Sequence, residues 1–241
     1  MRARIIDTET TDAEDPRPIE IGESEPFEDP GRRIFEDQSL TCKVSRWNPM
    51  KPINYGAMAV HHITDAMVAD CPPWTDYKLT DCEYIIGHNI DFDWNAIGKP
   101  DVKRICTLAL AQHLWPTADS HALGAMLYML DAEYAKEWVP KAHSAGHDVV
   151  LCGRLLTFIM GTVGAVRIQT MEDLWQWSER ARIPEFMSFG KYGPNEDWAK
   201  NNGGPMRCSE VRRRDNGYWN WLMNKCDQVR DNPYLKKALT G

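Results

Sequence analysis

Asp7 and Glu9 are the first residues of this chain whose types and spacing could do chemistry. They follow the apolar pair Ile5-Ile6 in the run Arg4-Ile-Ile-Asp-Thr-Glu-Thr10. That run reads as a short buried strand ending in acid. Alternate residues of a strand share a face, so both carboxylates point the same way. Converging carboxylates repel each other unless a cation sits between them, and hard oxygen ligands suit Mg²⁺ or Mn²⁺. An Asp-x-Glu pair alone is weak evidence, so the remaining ligands decide. Two further clusters follow: His88-Asn-Ile-Asp-Phe-Asp93 behind the apolar run Tyr84-Ile85-Ile86, and His143-Ser-Ala-Gly-His-Asp148 at the head of the apolar-periodic segment Val149–Met160.

An early Asp-x-Glu, a middle His-Asn-x-x-Phe-Asp and a late His-x-x-x-x-Asp, in that order, resemble the DEDDh (DnaQ-like) family of 3′→5′ exonucleases. Polymerase proofreading subunits, RNase T and oligoribonuclease belong to it, and the resemblance is closest to its bacterial exonuclease X branch. Further matching segments are Ala57–Asp70, Ile105-Cys-Thr-Leu108, Leu114-Trp-Pro116, Phe189-Gly-Lys-Tyr192 and Asn216–Leu222, so the likeness spans nearly the whole chain. It implies a ribonuclease H-like fold. It also implies a two-metal mechanism with two Mg²⁺ (or Mn²⁺) held by Asp7, Glu9, Asp93 and Asp148, Asp7 bridging both.

Phosphodiester hydrolysis needs an activated water and charge relief in the transition state, and two divalent ions about 4 Å apart serve both needs. His143 is the candidate general base of the DEDDh pattern, because an imidazole ordinarily titrates near neutral pH. Five residues before Asp148, it falls at a loop–helix junction. Taken singly, Asp93 or Asp148 could merely favour a helix dipole; their occurrence together in family order points to catalysis. Asp91 is a decoy: it would share a face with Asp93 on a strand but not on a helix, and the family pattern aligns Asp93. His147 and His62 are read as ordinary residues.

The substrate-binding candidates are Thr8, Thr10, His61, His88, Asn89 and Phe92. Phe92 admits two readings, a ring stacked on a base or a core residue under a helix. Asn89 could instead brace its loop. Relatives follow Asp-x-Glu-Thr with Gly and then Leu or Met, an apolar wedge against end bases. Here Thr11-Asp-Ala-Glu-Asp15 stands in that place, so weaker unpairing of duplex ends and a leaning toward single-stranded or frayed DNA 3′ ends are expected.

The formal net charge of −7 gives no basic signature for a nucleic-acid partner, yet a metal-dependent nuclease carries acids for its cations. Residues 1–40 hold 12 acids and 5 bases, and Asp12–Glu28 reads as a solvated loop and strand edge. Arg212-Arg213-Arg214 is the densest basic spot. Seven scattered cysteines, none in a C-x-x-C spacing, fit reduced thiols and a cytoplasmic setting rather than a zinc site. No apolar run approaches the length of a membrane span, and no secretory leader is expected.

Strands are predicted at Ala3–Ile6, Pro18–Ser24, Ile34–Ser45 and Cys82–Gly87, with a hairpin turn at Gly31-Arg32-Arg33. Helices are predicted near Thr64–Ala69, Phe92–Ile97, Cys106–Trp115, Ala122–Leu130, His143–Gly161 and Glu172–Arg182. The pattern is that of an α/β domain, a mixed sheet flanked by helices. The expected organisation is an exonuclease domain over 1–166, a linker or helix over 167–185 and a small aromatic-rich C-terminal module over 186–241. The aromatics of that module admit a stacking platform or a small aromatic core with glycine turns.

The expected activity is 3′→5′ exodeoxyribonuclease yielding 5′-mononucleotides. The site motifs are equally compatible with a 3′→5′ exoribonuclease, since sugar choice depends on a pocket near the 2′ position. A non-catalytic nucleic-acid-binding or docking protein is the alternative from another class, and the complete acid set argues against it. A proofreading subunit is disfavoured because the C-terminus reads as folded rather than as a polymerase-binding tail.

Overall fold

The computed structural model describes residues 1–30, 42–163 and 168–241. The strands are β1 Ala3–Thr10, β2 Pro18–Ser24, β3 Cys42–Arg46, β4 Tyr84–Gly87 and β5 Lys103–Cys106. The helices are α1 Tyr55–His61, α2 Asp65–Val68, α3 Ile90–Ala96, α4 Thr107–Leu114, α5 Leu123–Leu130, α6 Ala132–Trp138, α7 Ala145–Val163 and α8 Met171–Ala181. They continue with α9 Asp197–Asn202, α10 Cys208–Arg214, α11 Asn216–Lys225, α12 Asp227–Arg230 and α13 Pro233–Thr240. The Gly31–Arg33 turn and positions 34–41 of the third predicted strand lie outside the described residues.

The five strands form one sheet in the order β3-β2-β1-β4-β5. β1 pairs antiparallel with β2 and parallel with β4, so the sheet is mixed, as the sequence predicts. Ile5, Ile6, Ile85, Ile86 and Ile105 are fully or almost fully buried on the central strands. Such continuous apolar runs suit strands covered on both faces. α7 packs on β1, β2 and β3, while α3 packs on β1, β4 and β5. No helix among the described residues is long and apolar enough to cross a membrane.

β5 escapes the sequence patterns because it opens with Lys103-Arg104. Their stems lie along the sheet edge while their charges find aromatic faces: Lys103 Nζ is 4.3 Å from the Trp175 ring centroid and the Arg104 guanidinium 4.1 Å from that of Trp94. The reading of Asp12–Glu28 as solvated is corrected for β2, which is buried along its whole length. Glu20 and Glu23 are only 4% and 8% exposed, and each has a partner: Arg46 Nε donates to Glu20 at 3.1 Å, and the Tyr77 hydroxyl to Glu23 at 3.0 Å.

Contacts divide the chain into two compact units, Met1–Ser178 and Glu179–Gly241. The second is helical where the sequence reads as turn-rich. α10 to α13 enclose a small core that includes Val211, Leu222, Val229, Leu235 and Leu239. Tyr192 is buried in that core, and its hydroxyl donates to Asp215, the residue that caps α11 by accepting from the Tyr218 amide.

Candidate active site

β1 carries Asp7 and Glu9 onto one face, opposite Gly22 and Glu20 of β2. Residues directly opposite in an antiparallel pair share a face, so three acids and one glycine lie side by side. The register shifts between Glu9 and Thr10 before pairing resumes at Thr10 opposite Pro18, the kind of irregularity that re-aims side chains at a sheet rim. The start of α7 lies over the same face. A Cβ on Gly22 would fall 2.4 Å from the Ala145 carbonyl oxygen, so only glycine lets helix and strand approach this closely. Glu20 fixes the approach by accepting from the Ala145 amide at 3.2 Å.

From this start α7 delivers Asp148. Carboxylate oxygens of Asp7, Glu9 and Asp148 all lie within 4.8 Å of one another. Asp93 reaches the same neighbourhood from α3, buried, its Oδ1 accepting from the Thr8 amide at 2.9 Å and the Thr8 hydroxyl at 2.8 Å. Asp91, two residues earlier, turns to Arg104 at 2.7 Å. The helical geometry of Ile90–Ala96 separates the two acids.

The four carboxylates sit in each other's fields. Burial pushes Asp7 well above the ordinary carboxylate range, reinforced by Asp93, Asp148, Glu9 and Glu20. Burial raises Glu9 to about 7, with Asp148, Glu20 and Asp93 adding to it. Asp93 is also raised by burial to about 7, against the opposing pull of the Thr8 hydrogen bonds. Asp148 is raised by burial, opposed by the His143 amide, which donates to its Oδ2 at 3.2 Å. Like charges crowded this closely raise one another's pKa, and a cation between them would relieve that repulsion. The donor set, all carboxylate oxygen, fits a hard divalent ion.

His143 is exposed and adopts φ 68°, the left-handed conformation, just ahead of α7. That kink turns its amide onto Asp148 and leaves its side chain on the solvent side. Beside the acids lies a cavity of about 560 Å³ lined by Thr8, Glu9, Thr10, Ala13, His61 and Phe92, among others. Phe92 is partly exposed along this wall. His61 Nδ1 accepts from the Ile63 amide at 3.0 Å, which leaves the ring proton on Nε2. That nitrogen is buried near the Thr10 backbone without a well-formed hydrogen bond, and burial lowers the ring's pKa.

Two predicted contacts stand apart from the cavity lining. Both His88 ring nitrogens are engaged, by the Thr107 hydroxyl at 3.1 Å and the His121 carbonyl at 2.8 Å, and burial lowers its pKa to about 4. Asn89 takes the left-handed conformation, φ 71°, that starts α3, which an Asn tolerates better than most residues. Thr10 lines the cavity, and its hydroxyl donates to the Asp12 carbonyl. Sequence reasoning missed Glu20. The available signal was its place one hairpin away from Glu9, an acid between two isoleucines on a strand with no solvent face.

No family model matches the chain. It is 30% identical to Exodeoxyribonuclease 10 of Escherichia coli K12 over 197 residues, 79% of this chain and 80% of that protein, and equally so to the same enzyme of E. coli O6:H1. Among solved structures it is similar to exonuclease X in complex with 5′ overhanging duplex DNA, with a TM-score of 0.57 and 28% identity over 73% of this chain and 99% of that one. The zinc-bound form of the E. coli ExoI–ssDNA complex shares the fold, with a TM-score of 0.51 and 14% identity over 74% of this chain and 43% of that one. The chain belongs to the DnaQ-like 3′–5′ exonuclease family.

Proposed function

We propose that this protein is a divalent-cation-dependent 3′→5′ exodeoxyribonuclease that releases 5′-mononucleotides, with Asp7, Glu9, Asp93 and Asp148 as ligands and His143 as general base. What carries this reading is the meeting of Asp7, Glu9 and Asp148 oxygens within 4.8 Å, from two separate elements. DNA rather than RNA is favoured because the curated relatives are named exodeoxyribonucleases. Mg²⁺ or Mn²⁺ is favoured by the all-carboxylate donor set.

When bound, two divalent cations supply positive charge at the scissile phosphate and a more acidic water. The chain's own residues do the rest. Thr8 orients Asp93 through two hydrogen bonds, and Glu20 and Gly22 seat the start of α7 so that Asp148 meets Asp7. His143, on the open side of Asp148, takes the proton of the attacking water and passes it to solvent. The terminal nucleoside enters the adjoining cavity, with Phe92 against its base and the His61 ring forming part of the wall. His88 and Asn89 brace the turn that holds α3 in place.

The composition of the cavity rim supports a preference for single strands. Thr11-Asp-Ala-Glu-Asp15 stands where relatives place an apolar wedge; Asp12 and Ala13 line the cavity, and Asp12 is tied to Lys51 at 2.8 Å. The Lys51 hydrogen bond, helped by the Asp15 amide, lowers the Asp12 carboxyl to about 2, so it stays ionised. An ionised rim without a wedge does nothing to unstack a terminal base pair, which costs a few kcal/mol. With 5′-labelled and 3′-labelled DNA in Mg²⁺, single strands are expected to shorten stepwise from the 3′ end, blunt duplexes at least about tenfold more slowly. Internal cleavage, faster loss of matched RNA, or equal rates on blunt duplex each contradict part of this reading.

A further inference from the structure

Residues 179–241 carry 12 Lys or Arg and 8 Asp or Glu, against 16 and 27 in residues 1–178. The second unit is therefore net positive and the first strongly negative, so net charge favours the second unit for a polyanion where no cations are bound. Its three-arginine run contributes less than its sequence suggests. Arg213 and Arg214 share Glu210, and the Arg212 guanidinium lies 4.8 Å from the Trp219 ring centroid. The Phe189-Gly-Lys-Tyr192 segment is likewise committed inward, with Lys191 on Asp215 at 2.6 Å and Tyr192 in the core.

α11 is different. Tyr218, Trp221 and Lys225 stand at i, i+3 and i+7, along one stripe of the helix. The neighbouring stripe is held by the core: Leu222 is fully buried, and Trp219 Nε1 donates to the Leu239 carbonyl at 2.8 Å. Trp221 is 46% exposed, and its ring stacks on Tyr218 with centroids 5.7 Å apart and planes 15° from parallel. Tyr218 is itself backed by Gly190, where a Cβ would stand 2.1 Å from the phenol oxygen. The exposed ring is therefore on a rigid support. Lys225, a turn further on, is exposed and has no carboxylate within 4.0 Å among the described residues.

We propose that this stripe of α11 is a second binding surface for single-stranded DNA, Trp221 stacking on a base and Lys225 pairing with a phosphate. The occupant is chosen by charge and shape: a net positive unit, a flat ring that accepts any base, and an uncommitted cation beside it. The choice of DNA rests on the proposed function, but the surface itself does not use the acid cluster. A strand held here stays tethered to the hydrolytic unit, which raises its effective concentration there.

Binding of the full chain to a labelled oligo-dT of about 20 nucleotides, long enough for more than one contact, is measured by anisotropy in EDTA across a salt series. Trp221→Ala is expected to weaken binding roughly tenfold and Trp221→Phe by less than about threefold. Lys225→Glu is expected to weaken it and to lower the salt slope by about 1. Parent-like affinity and slope in all three variants overturn the proposal. So does an equal loss in Trp221→Phe and Trp221→Ala with a lowered melting temperature, which assigns Trp221 a structural role. Because the readout is metal-free, failure of hydrolysis and failure of this surface are separate results.

Discussion

Asp7→Asn is expected to lower the rate of DNA hydrolysis by roughly a thousandfold or more, while raising the stability of the metal-free protein. The two effects share one cause. Asp7 is the acid most pressed by the others, raised by burial and then by Asp93, Asp148, Glu9 and Glu20. With cations present, its charge is an asset that an amide cannot replace. Without them, it is a buried charge among like charges.

The pH dependence follows the same logic with a definite sign. These acids have folded-state pKa values above their unfolded ones, with Glu9 and Asp93 near 7. The folded state therefore binds more protons than the unfolded chain between about pH 4 and pH 7, and stability falls as pH rises through that window. In EDTA, wild type is expected to melt lower at pH 8 than at pH 5. Asp7→Asn should reduce that difference, by about 2–4 °C for each kcal/mol of repulsion removed. Melting curves of both proteins at the two pH values, alongside initial rates in Mn²⁺, measure both effects. An active Asp7→Asn enzyme, or an unchanged pH dependence, is the outcome that would falsify the shared cause.

The second large effect is expected from a residue with no chemistry of its own. Gly22→Ala brings a methyl group to within 2.4 Å of the Ala145 carbonyl oxygen, 2.6 Å of its carbon and 2.9 Å of the Gly146 nitrogen. All three are backbone atoms, so no rotamer change relieves the clash. α7 must retreat, the Glu20–Ala145 hydrogen bond is lost, and Asp148 and His143 move with the helix. Overpacking of this kind costs about 1–3 kcal/mol. Misplacing catalytic groups by about 1 Å costs on the order of a hundredfold in rate. Gly161→Ala, on the same helix, is the matched control, because its added Cβ meets nothing within 4 Å. Comparing turnover at saturating Mn²⁺ in the two variants reads the difference. A Gly22→Ala enzyme as fast as Gly161→Ala contradicts the role given to this contact.

The clustering of the four acids of the candidate site was legible because residue type and strand or helix period determine where they point. Asp7 and Glu9 follow from alternation, and Asp93 is separated from Asp91 once the segment is helical. What the sequence hides is how neighbouring elements meet. Glu20 looks like surface charge until the β1–β2 register sets it opposite Glu9. Gly22 looks like a weak strand residue until α7 is laid over it. β5 was missed because its charged stems cover apolar surface, and the helices of the second unit because Gly, Pro and Asn at their ends mask short amphipathic segments. Tyr192 illustrates the same limit: an aromatic beside a lysine reads as a platform or a core residue until its hydroxyl is found on Asp215.

The most direct measurement is a crystal of the protein grown or soaked in Mn²⁺ and examined for anomalous scattering. Two peaks about 4 Å apart, bounded by oxygens of Asp7, Glu9, Asp93 and Asp148 with His143 to one side, are the expected result. Manganese absent from that corner, or bound elsewhere while the four carboxylates stay ringed by water alone, would contradict it.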